Sequence, residues 1–319
     1  MKIFSSKQDL ELANQIINLS DVSPNDIVKL GNLAVDRFSD GEILPMFKES
    51  VRNQDIFFVS SLNSSDKIME CLLVIDAAKR AGCASFTLVS PYLGYSRQDK
   101  TDHLRSSIGS KMIADILEKV GMSRIITISL HASAIQGFYN VPVIHLNGNK
   151  IFIDYIESLN LQDMCILAPD QGAVKTASDF CKAFPDASFA MINKKRIKPN
   201  EIHSMELVGD VSEKNVILVD DMADTLGTLK KAAELVMSSG AKSVRAIATH
   251  GILSGSAYEN LDQSVLTELI VSDSIPQCTN SKLKVVSCGP LLSKTIIALT
   301  QKRSIHEVNL VHTKKEMAV

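Results

Sequence analysis

The sequence predicts an α/β protein made of two similar domains, each with a central parallel sheet flanked by helices. Three observations support this fold class. Short apolar, β-branched runs alternate with longer segments whose apolar residues recur at helical spacing. This alternation occurs twice, and the two halves meet near residues 147–163. The length of 319 residues suits two domains of ordinary size.

The first half of the chain has a β-α-β-α-β pattern. Its strands are expected at 55–60, 86–90 and 125–129, and its helices at 67–81 and 108–120. Gly82 and Gly121 follow the two helices and are typical stop signals. Because the strands are almost continuously apolar, we expect a parallel sheet that is covered on both faces.

The second half repeats this pattern. Its strands are expected at 164–168, 189–192, 215–219 and 244–248, and its helices at 172–184 and 226–239. One more helix is expected at 291–300. We therefore place the domains at residues 1–147 and 148–319, with the last ~20 residues packing back on the N-terminal domain.

Composition excludes several classes of protein. Hydrophobic residues make up 45% and charged residues 22%, and the net charge is −2, so no general basic surface for nucleic acid or an anionic membrane is expected. The six cysteines form no CxxC pair, which favours a reduced, cytoplasmic chain over a disulfide scaffold or a zinc site. The first residues lack the apolar core of a signal peptide.

Two long polar loops interrupt the pattern, at 91–107 and at 193–204. Loops of this length in a compact α/β fold are usually functional, although a solvated surface insertion is the alternative. The second loop carries Lys194, Lys195, Arg196 and Lys198, so a solvated basic loop and an anion-binding loop both remain possible.

The segment 216–228 carries the strongest functional signal. An apolar strand ends in Asp220 and Asp221, and a turn with Asp224, Thr225, Leu226, Gly227 and Thr228 then opens a helix. In open α/β sheets ligands bind beyond the carboxyl ends of strands. The N–H groups at a helix start suit a phosphate, and two carboxylates can accept hydrogen bonds from sugar hydroxyls. We therefore expect a sugar-phosphate site; an Asp- or Thr-capped helix with solvated acids is the alternative.

Several separate motifs resemble one known family. The segment 220–228 resembles the PRPP-binding motif of the type I phosphoribosyltransferase fold. Further segments narrow the resemblance to the ribose-phosphate pyrophosphokinase (PRPP synthetase) family: 38–42, 95–100, 130–138, 169–172 and 193–196. The resemblance extends from the first strand to near the C-terminus and implies a phosphoribosyltransferase-like fold in both domains.

The family's reaction transfers the pyrophosphoryl group of MgATP to the anomeric hydroxyl of ribose 5-phosphate and releases AMP. The resemblance implies an N-terminal domain with the ATP-binding motifs and a C-terminal domain with the ribose 5-phosphate site. It also implies a cytoplasmic homo-oligomer, a hexamer, in which a neighbouring subunit supplies the turn 38–42. No nucleic acid or membrane partner is expected.

The resemblance also implies roles for individual residues. The catalytic residues are Lys194 and Arg196. The ATP-binding residues are Phe38, Asp40, Gly41, Glu42, Arg97 and Gln98. The ribose 5-phosphate-binding residues are Arg196, Asp220, Asp221, Asp224, Thr225, Leu226, Gly227 and Thr228. His131 and Asp170 are implied to lie beside Mg²⁺, with Asp170 the better oxygen ligand because Mg²⁺ seldom binds imidazole.

Two alternative functions remain open at this point. A phosphoribosyltransferase that consumes PRPP would share only the segment 220–228 and would release no AMP. A catalytically silent homologue that regulates an active partner would not need intact Lys194 and Arg196.

Overall fold

A computed structural model gives the structure of this chain and describes residues 1–19, 29–101, 104–198 and 201–309. Of residues 195–198, 201–204, 307 and 309 it describes the main chain alone. The described chain divides into two compact units. The first comprises Met1–Asn147, Ser274–Pro276 and Cys288–Val308, and the second comprises Gly148–Asp273 and Gln277–Ser287. Along the chain, the second unit is thus inserted between two parts of the first.

The strands are β1 (Lys2–Ser5), β2 (Leu33–Arg37), β3 (Ile43–Phe47), β4 (Asp55–Val59), β5 (Ser85–Val89), β6 (Arg124–Ile128), β7 (Val143–Leu146), β8 (Met164–Ala168), β9 (Ser188–Lys198), β10 (Glu201–Val208), β11 (Asn215–Ala223), β12 (Ser243–Gly251), β13 (Glu268–Ser272) and β14 (Leu283–Val286). The α-helices are α1 (Leu10–Asn18), α2 (Ser65–Arg80), α3 (Gly109–Val120), α4 (Ile153–Ser158), α5 (Val174–Cys181), α6 (Gly227–Ser238), α7 (Ala257–Asp262), α8 (Gly289–Thr300) and α9 (His306–Asn309).

The first unit has a five-stranded sheet in the order β1-β4-β5-β6-β7, and every neighbouring pair is parallel. The predicted strands at 55–60, 86–90 and 125–129 are confirmed as β4, β5 and β6. The two edge strands, β1 and β7, are not predicted from the sequence, because four residues are too few for a clear pattern. The apolar residues of β4, β5 and β6 are buried, as a parallel sheet covered on both faces requires.

The helices predicted at 67–81, 108–120 and 291–300 are present as α2, α3 and α8, with bounds that differ by at most two residues, whereas α1 is not predicted from the sequence. Ser64 caps α2 by accepting a hydrogen bond from the main-chain N–H of Lys67 at 3.2 Å. Gly82 and Gly121 follow α2 and α3 with φ angles of 79° and 135°, a left-handed region that glycine adopts easily. The late helix α8 belongs to this unit, where the Ser293 hydroxyl donates to the Ile16 carbonyl of α1 at 2.9 Å.

A separate two-stranded sheet of β2 and β3 carries the predicted ATP-binding turn. The main-chain N–H of Phe38 donates to the Glu42 carbonyl at 2.9 Å, and the main-chain N–H of Gly41 donates to the Phe38 carbonyl at 3.0 Å. Gly41 has a φ of 95°, so the turn needs a residue that tolerates the left-handed region. The turn is exposed along its whole length.

The second unit has a seven-stranded sheet in the order β10-β9-β8-β11-β12-β13-β14. Only the β10–β9 pair is antiparallel among these described strands. The fold class predicted from the sequence, two α/β units with parallel sheets flanked by helices, is therefore confirmed. The core of this unit is lined by small and branched side chains from β11, β12 and α6, among them Val216, Leu218 and Ala233.

The prediction of a loop at 193–204 is wrong. β9 continues to Lys198 and pairs with β10, so that Lys194 and the main chain of Arg196 lie on a β-hairpin. The register shifts between Glu201 and Ile202 and again between Ile202 and Ser204. The basic residues suggested a loop, but the pairing of β9 with β8 ends at Met191, and residues 192–198 continue as a strand through their pairing with β10.

The six cysteines are free thiols. None of the helices in the described ranges combines the length and the apolar character needed to cross a membrane.

Candidate functional site

Three strands of the second unit end side by side and bring predicted site residues to one edge of the sheet. The register pairs Leu218 with Leu167, and Ala168 with Met191. Asp220, Asp170 and Lys194 lie two or three residues beyond these pairs, on β11, after β8 and on β9. The edge is formed by carboxyl ends of parallel strands, where open α/β sheets bind ligands.

Asp170 and Lys194 form an ion pair. The Lys194 Nζ lies 3.0 Å from the Asp170 Oδ2, and the side chains are 5% and 31% exposed. The other carboxylate oxygen, Oδ1, accepts the main-chain N–H of Ala173 at 3.2 Å. Beside the pair, the Gln171 Nε2 donates to the Asn193 Oδ1 at 3.2 Å. The predicted metal-linked acid and the predicted catalytic lysine are therefore neighbours.

Asp220 lies in a strongly acidic environment. β11 continues past the predicted end at 219 to Ala223, because Met222 and Ala223 still pair with His250 and Gly251. Burial raises the pKa of Asp220 well above its usual range, and the negative charge of Asp221, with that of Asp170 farther away, raises it further. The main-chain N–H of Asp221 donates to the Asp220 Oδ1 at 2.9 Å and opposes this shift. The cluster therefore favours a cationic ligand.

The turn 224–228 opens α6 without a side-chain cap. Leu226 is the N-cap residue, and its side chain makes no capping hydrogen bond. The first helical bond runs from the Lys230 N–H to the Leu226 carbonyl at 2.8 Å. Thr225 and Thr228 are exposed, and a Cβ built on Gly227 would meet no atom within 4 Å. The alternative of an Asp- or Thr-capped helix is therefore wrong.

The free N–H groups at this helix start are the second main feature of the site. Across the part of the chain that the structure describes, the main-chain N–H groups of Leu226, Gly227 and Thr228 have no hydrogen-bond acceptor. Such groups, together with the positive end of the helix dipole, bind anions. A phosphate site beside the acids of β11 is thus chemically available.

A segment after β12 supports this turn, and its role is not predictable from the sequence. The Asn260 Nδ2 donates to the Thr225 carbonyl at 2.9 Å, and the Ser254 hydroxyl donates to the Asp224 carboxylate. The N–H groups of Ile252 and Leu253 both donate to the Ala223 carbonyl. No pattern in the sequence marks these contacts, because they join residues about thirty positions apart.

Leu226 has a φ of 63°, in the left-handed region, and is nevertheless buried. For a residue with a side chain this conformation costs roughly 1–2 kcal/mol. The variants Leu226→Ala and Leu226→Gly both lack the buried side chain, so their difference reports the strain, reduced by the greater freedom of glycine in the unfolded chain. We expect the glycine variant to have a free energy of unfolding about 1 kcal/mol higher than the alanine variant. Urea unfolding of both variants measures this difference, and equal stability would contradict a strained Leu226.

The predicted ATP-binding residues of the first unit lie in two exposed segments. Arg97 and Gln98 are exposed. Two hydrogen bonds fix the main chain of Gln98: its N–H donates to the Tyr95 carbonyl at 2.9 Å, and its carbonyl accepts the Ser110 N–H at 3.2 Å. A Cβ on Gly109 would lie 2.6 Å from the Gln98 Oε1, so the Gln98 side chain would have to move if Gly109 were replaced. Phe38 is 54% exposed at the tip of the β2–β3 hairpin, beside exposed Asp40, Gly41 and Glu42.

His131 and Arg196 are the remaining predicted site residues. His131 follows β6 and is exposed, and the main-chain N–H of the preceding Leu130 donates to the His145 Nε2 at 2.9 Å. The side chain of Arg196 lies outside the described residues. Among described residues, no three His, Cys, Asp or Glu side chains are grouped as a metal ion requires.

Comparisons with known proteins give one consistent result. Residues 1–121 match the family model described as the N-terminal domain of ribose phosphate pyrophosphokinase, and residues 155–309 match a phosphoribosyl synthetase-associated domain. The chain is 42% identical over 308 residues to a ribose-phosphate pyrophosphokinase of Porphyromonas gingivalis. This match covers 95% of this chain and 96% of that protein. It is 39% identical over 310 residues to the protein of the same name from Bacillus subtilis, with 96% of each chain covered.

A solved structure agrees with these sequence relatives. The crystal structure of phosphoribosylpyrophosphate synthetase from Mycobacterium smegmatis is similar, with a TM-score of 0.85 and 34% sequence identity. The similarity covers 94% of this chain and 99% of that one, so it includes both units.

Proposed function

The chain belongs to the ribose-phosphate pyrophosphokinase family, and on that premise we propose how its residues bind the substrates and transfer the pyrophosphoryl group. The enzyme transfers this group from ATP to the anomeric hydroxyl of ribose 5-phosphate. The hydroxyl oxygen forms a bond to the β-phosphorus of ATP, the bond to the α-phosphate oxygen breaks, and the hydroxyl proton is released. The products are 5-phosphoribosyl 1-diphosphate and AMP.

One observation carries the assignment of the ribose 5-phosphate site. The uncapped start of α6 follows β11, which carries Asp220 and Asp221 in its second half and ends at Ala223. The N–H groups of Gly227 and Thr228 bind the 5′-phosphate, and the exposed hydroxyls of Thr225 and Thr228 add donors. The carboxylates accept hydrogen bonds from the ribose hydroxyls. Asp224 and Leu226 contribute as parts of the same turn.

Lys194 provides positive charge for the transfer step. Its ammonium group is nearly buried, and Asp170 holds it at the same sheet edge as the acids of β11. Phosphoryl-type transfer depends on positioning and on neutralising the negative charge of the transition state. The Lys194 ammonium neutralises this charge on the transferring group. Arg196 lies two residues farther along β9, and the resemblance assigns it the same role and contact with ribose 5-phosphate.

The acidic residues of the site fit a divalent cation that arrives with the substrates. Asp170 is partly exposed and can offer an oxygen ligand, and the Asp221 and Asp170 carboxylates add negative charge around the buried Asp220, whose pKa is raised chiefly by burial. Mg²⁺ prefers one or two carboxylates together with water and substrate phosphates, so a complete protein cage is not required. When bound, Mg²⁺ would neutralise phosphate charge. Asp170 is the candidate oxygen ligand, and His131 is assigned an indirect contact.

ATP binding is assigned to the first unit. Arg97 supplies a cation for the phosphates, and Gln98 presents an exposed side-chain amide on a main chain that is bonded to Tyr95 and Ser110. Phe38 supplies an apolar ring for the adenine, while Asp40 and Glu42 can accept its amino group; Gly41 shapes the turn. The family resemblance supports a homo-oligomer, a hexamer, in which this turn serves a neighbouring subunit, and a cytoplasmic location.

The exposure of Phe38 allows a test that separates binding from folding. Since the ring is 54% exposed, Phe38→Ala should leave the melting temperature unchanged, while the KM for ATP rises about 10-fold through loss of the stacking surface. Steady-state kinetics with ATP as the varied substrate measure this effect. Phe189→Ala removes an aromatic ring of similar exposure, 41%, in the second unit and serves as the control. Equal KM values in both variants would contradict the assignment.

The overall function is tested by AMP release. The purified full chain with ATP and Mg²⁺ should release AMP only when ribose 5-phosphate is added. A phosphoribosyltransferase that consumes PRPP would release no AMP under these conditions, and a silent regulatory homologue would show no turnover. A phosphoribosyltransferase that consumes PRPP would not need the segment 95–98, whose main chain is held by hydrogen bonds. A silent homologue would not need Lys194, which is held in an ion pair with Asp170.

A further inference from the structure

The bond between Asn260 and the turn that opens α6 has a consequence for phosphate binding. We propose that Asn260 is a positioning residue: by holding the Thr225 carbonyl, it directs the main-chain N–H of Leu226 toward the 5′-phosphate. This inference rests on the proposed ribose 5-phosphate site and adds a residue on α7 to it. Asn260 itself does not touch the substrate.

The geometry follows from the planarity of the peptide bond. The C=O and N–H of a trans peptide point in opposite directions, and the described chain contains no cis peptide. The Asn260 Nδ2 donates to the Thr225 carbonyl oxygen at 2.9 Å. The N–H of the same peptide belongs to Leu226 and therefore points away from Asn260. Within the described ranges this N–H has no acceptor, so it is available to a ligand beside those of Gly227 and Thr228.

If the hydrogen bond from Asn260 were lost, backbone strain would favour rotation of the Thr225–Leu226 peptide. Leu226 lies at a φ of 63°, which is unfavourable for a residue with a side chain. Rotation of the Thr225–Leu226 peptide by about 180° would change φ of Leu226 and release that strain, because a peptide flip changes ψ of one residue and φ of the next. The same rotation would direct the Leu226 N–H away from the phosphate. The Asn260 bond therefore holds the turn in its binding conformation.

Asn260 is itself held in place. It lies on α7 (Ala257–Asp262), its main-chain N–H donates to the Ser256 carbonyl at 2.9 Å, and its Nδ2 also lies 3.2 Å from the Ser256 Oγ. A second contact joins the same two segments, since the Ser254 hydroxyl donates to Asp224. The side chain is therefore positioned by its own helix and not by the ligand.

The substitution Asn260→Asp tests this role with almost no change in shape. A carboxylate cannot donate to the Thr225 carbonyl and repels it, so we expect the KM for ribose 5-phosphate to rise about 10-fold or more. The KM for ATP should stay within twofold, because the ATP-binding residues lie in the first unit. Asn260→Ala removes the donor without adding charge and should show the same split with a smaller increase. The measurement uses steady-state kinetics on the full chain, with AMP release as the signal.

Gln263→Ala is the matched control on the neighbouring turn. The Gln263 side chain is hydrogen-bonded to Lys230 and Glu259, and within the described chain none of these bonds involves the turn 224–228, so both KM values should be unchanged. An unchanged KM for ribose 5-phosphate in both Asn260 variants would overturn the inference, as would equal increases in both KM values, which would indicate a general structural role. If the natural chain releases no AMP, the proposed function fails and this inference fails with it; an active natural chain with unaffected variants contradicts the inference alone.

Discussion

Replacing Lys194 by alanine is expected to lower kcat by about 10²–10³-fold, the loss that follows removal of one preorganised group that stabilises transition-state charge. Lys194 is 5% exposed and lies 3.0 Å from Asp170, so its ammonium group is fixed before the substrates bind. A preorganised cation needs little reorganisation during the reaction, which is why its contribution should exceed that of a mobile surface lysine. Single-turnover AMP release with saturating substrates measures the loss.

Removing Lys194 also leaves Asp170 without its partner, and stability must be separated from catalysis. Asp170 is 31% exposed and can be hydrated, so the folded state should survive. Lys194→Gln keeps most of the side-chain volume and should show the same loss of kcat. Lys182→Ala is the matched control, since Lys182 is 67% exposed and pairs with Asp179 in the same unit. A kcat within threefold of the natural chain in either Lys194 variant would contradict the assignment.

Asp220→Asn should weaken catalysis and at the same time stabilise the free protein. The amide oxygen can still accept the Asp221 N–H, but the charged acceptor for ribose hydroxyls is lost. Because hydrogen bonds to charged groups contribute about 1.5–3 kcal/mol, kcat/KM for ribose 5-phosphate should fall about 10- to 100-fold. The free energy of unfolding at pH 7 should rise, since the raised pKa of Asp220 means that its charged form is disfavoured in the folded chain.

The sign of the pH dependence follows from linkage. With a folded-state pKa above the unfolded value, Asp220 carries no penalty below the ordinary pKa of aspartate, and stability is lost as pH rises through the folded-state pKa. The advantage of the Asn variant should therefore shrink as pH is lowered toward 4. Urea unfolding at both pH values measures it. Asp210→Asn is the opposite control, because the Ser212 N–H and Lys214 lower the pKa of Asp210. A destabilised Asp220→Asn protein at pH 7 would contradict this account.

The sequence predicts the elements whose cause is local. Strands such as β4 and β11 are apolar runs buried on both faces, and α2 and α3 end at glycines with a positive φ, so composition and spacing suffice to locate them. The segment 220–228 is likewise recognisable, because an acidic strand end followed by a Thr- and Gly-rich turn is continuous along the chain.

The parts that the sequence does not predict depend on distant residues. β10 becomes a strand because it pairs with β9, and nothing within 201–208 alone requires that pairing. The support of the turn by Ser254 and Asn260 joins segments that are far apart in sequence. The ion pair of Asp170 and Lys194 likewise depends on the strand order β9-β8-β11, which residue patterns do not specify.

The placement of α8 has a consequence for how the chain is synthesised. Leu292 and Ile296 of this helix are buried in the first unit, whose α1 contributes the buried Leu12 and Ile16. Strands of the second unit end at Val286, before α8 begins. A ribosome therefore delivers every strand of the inserted unit before it delivers the helix that covers α1. A nascent chain that has been synthesised only as far as residue 147 lacks α8, so the apolar side of α1 would be exposed. Such a surface is suited to recognition by chaperones.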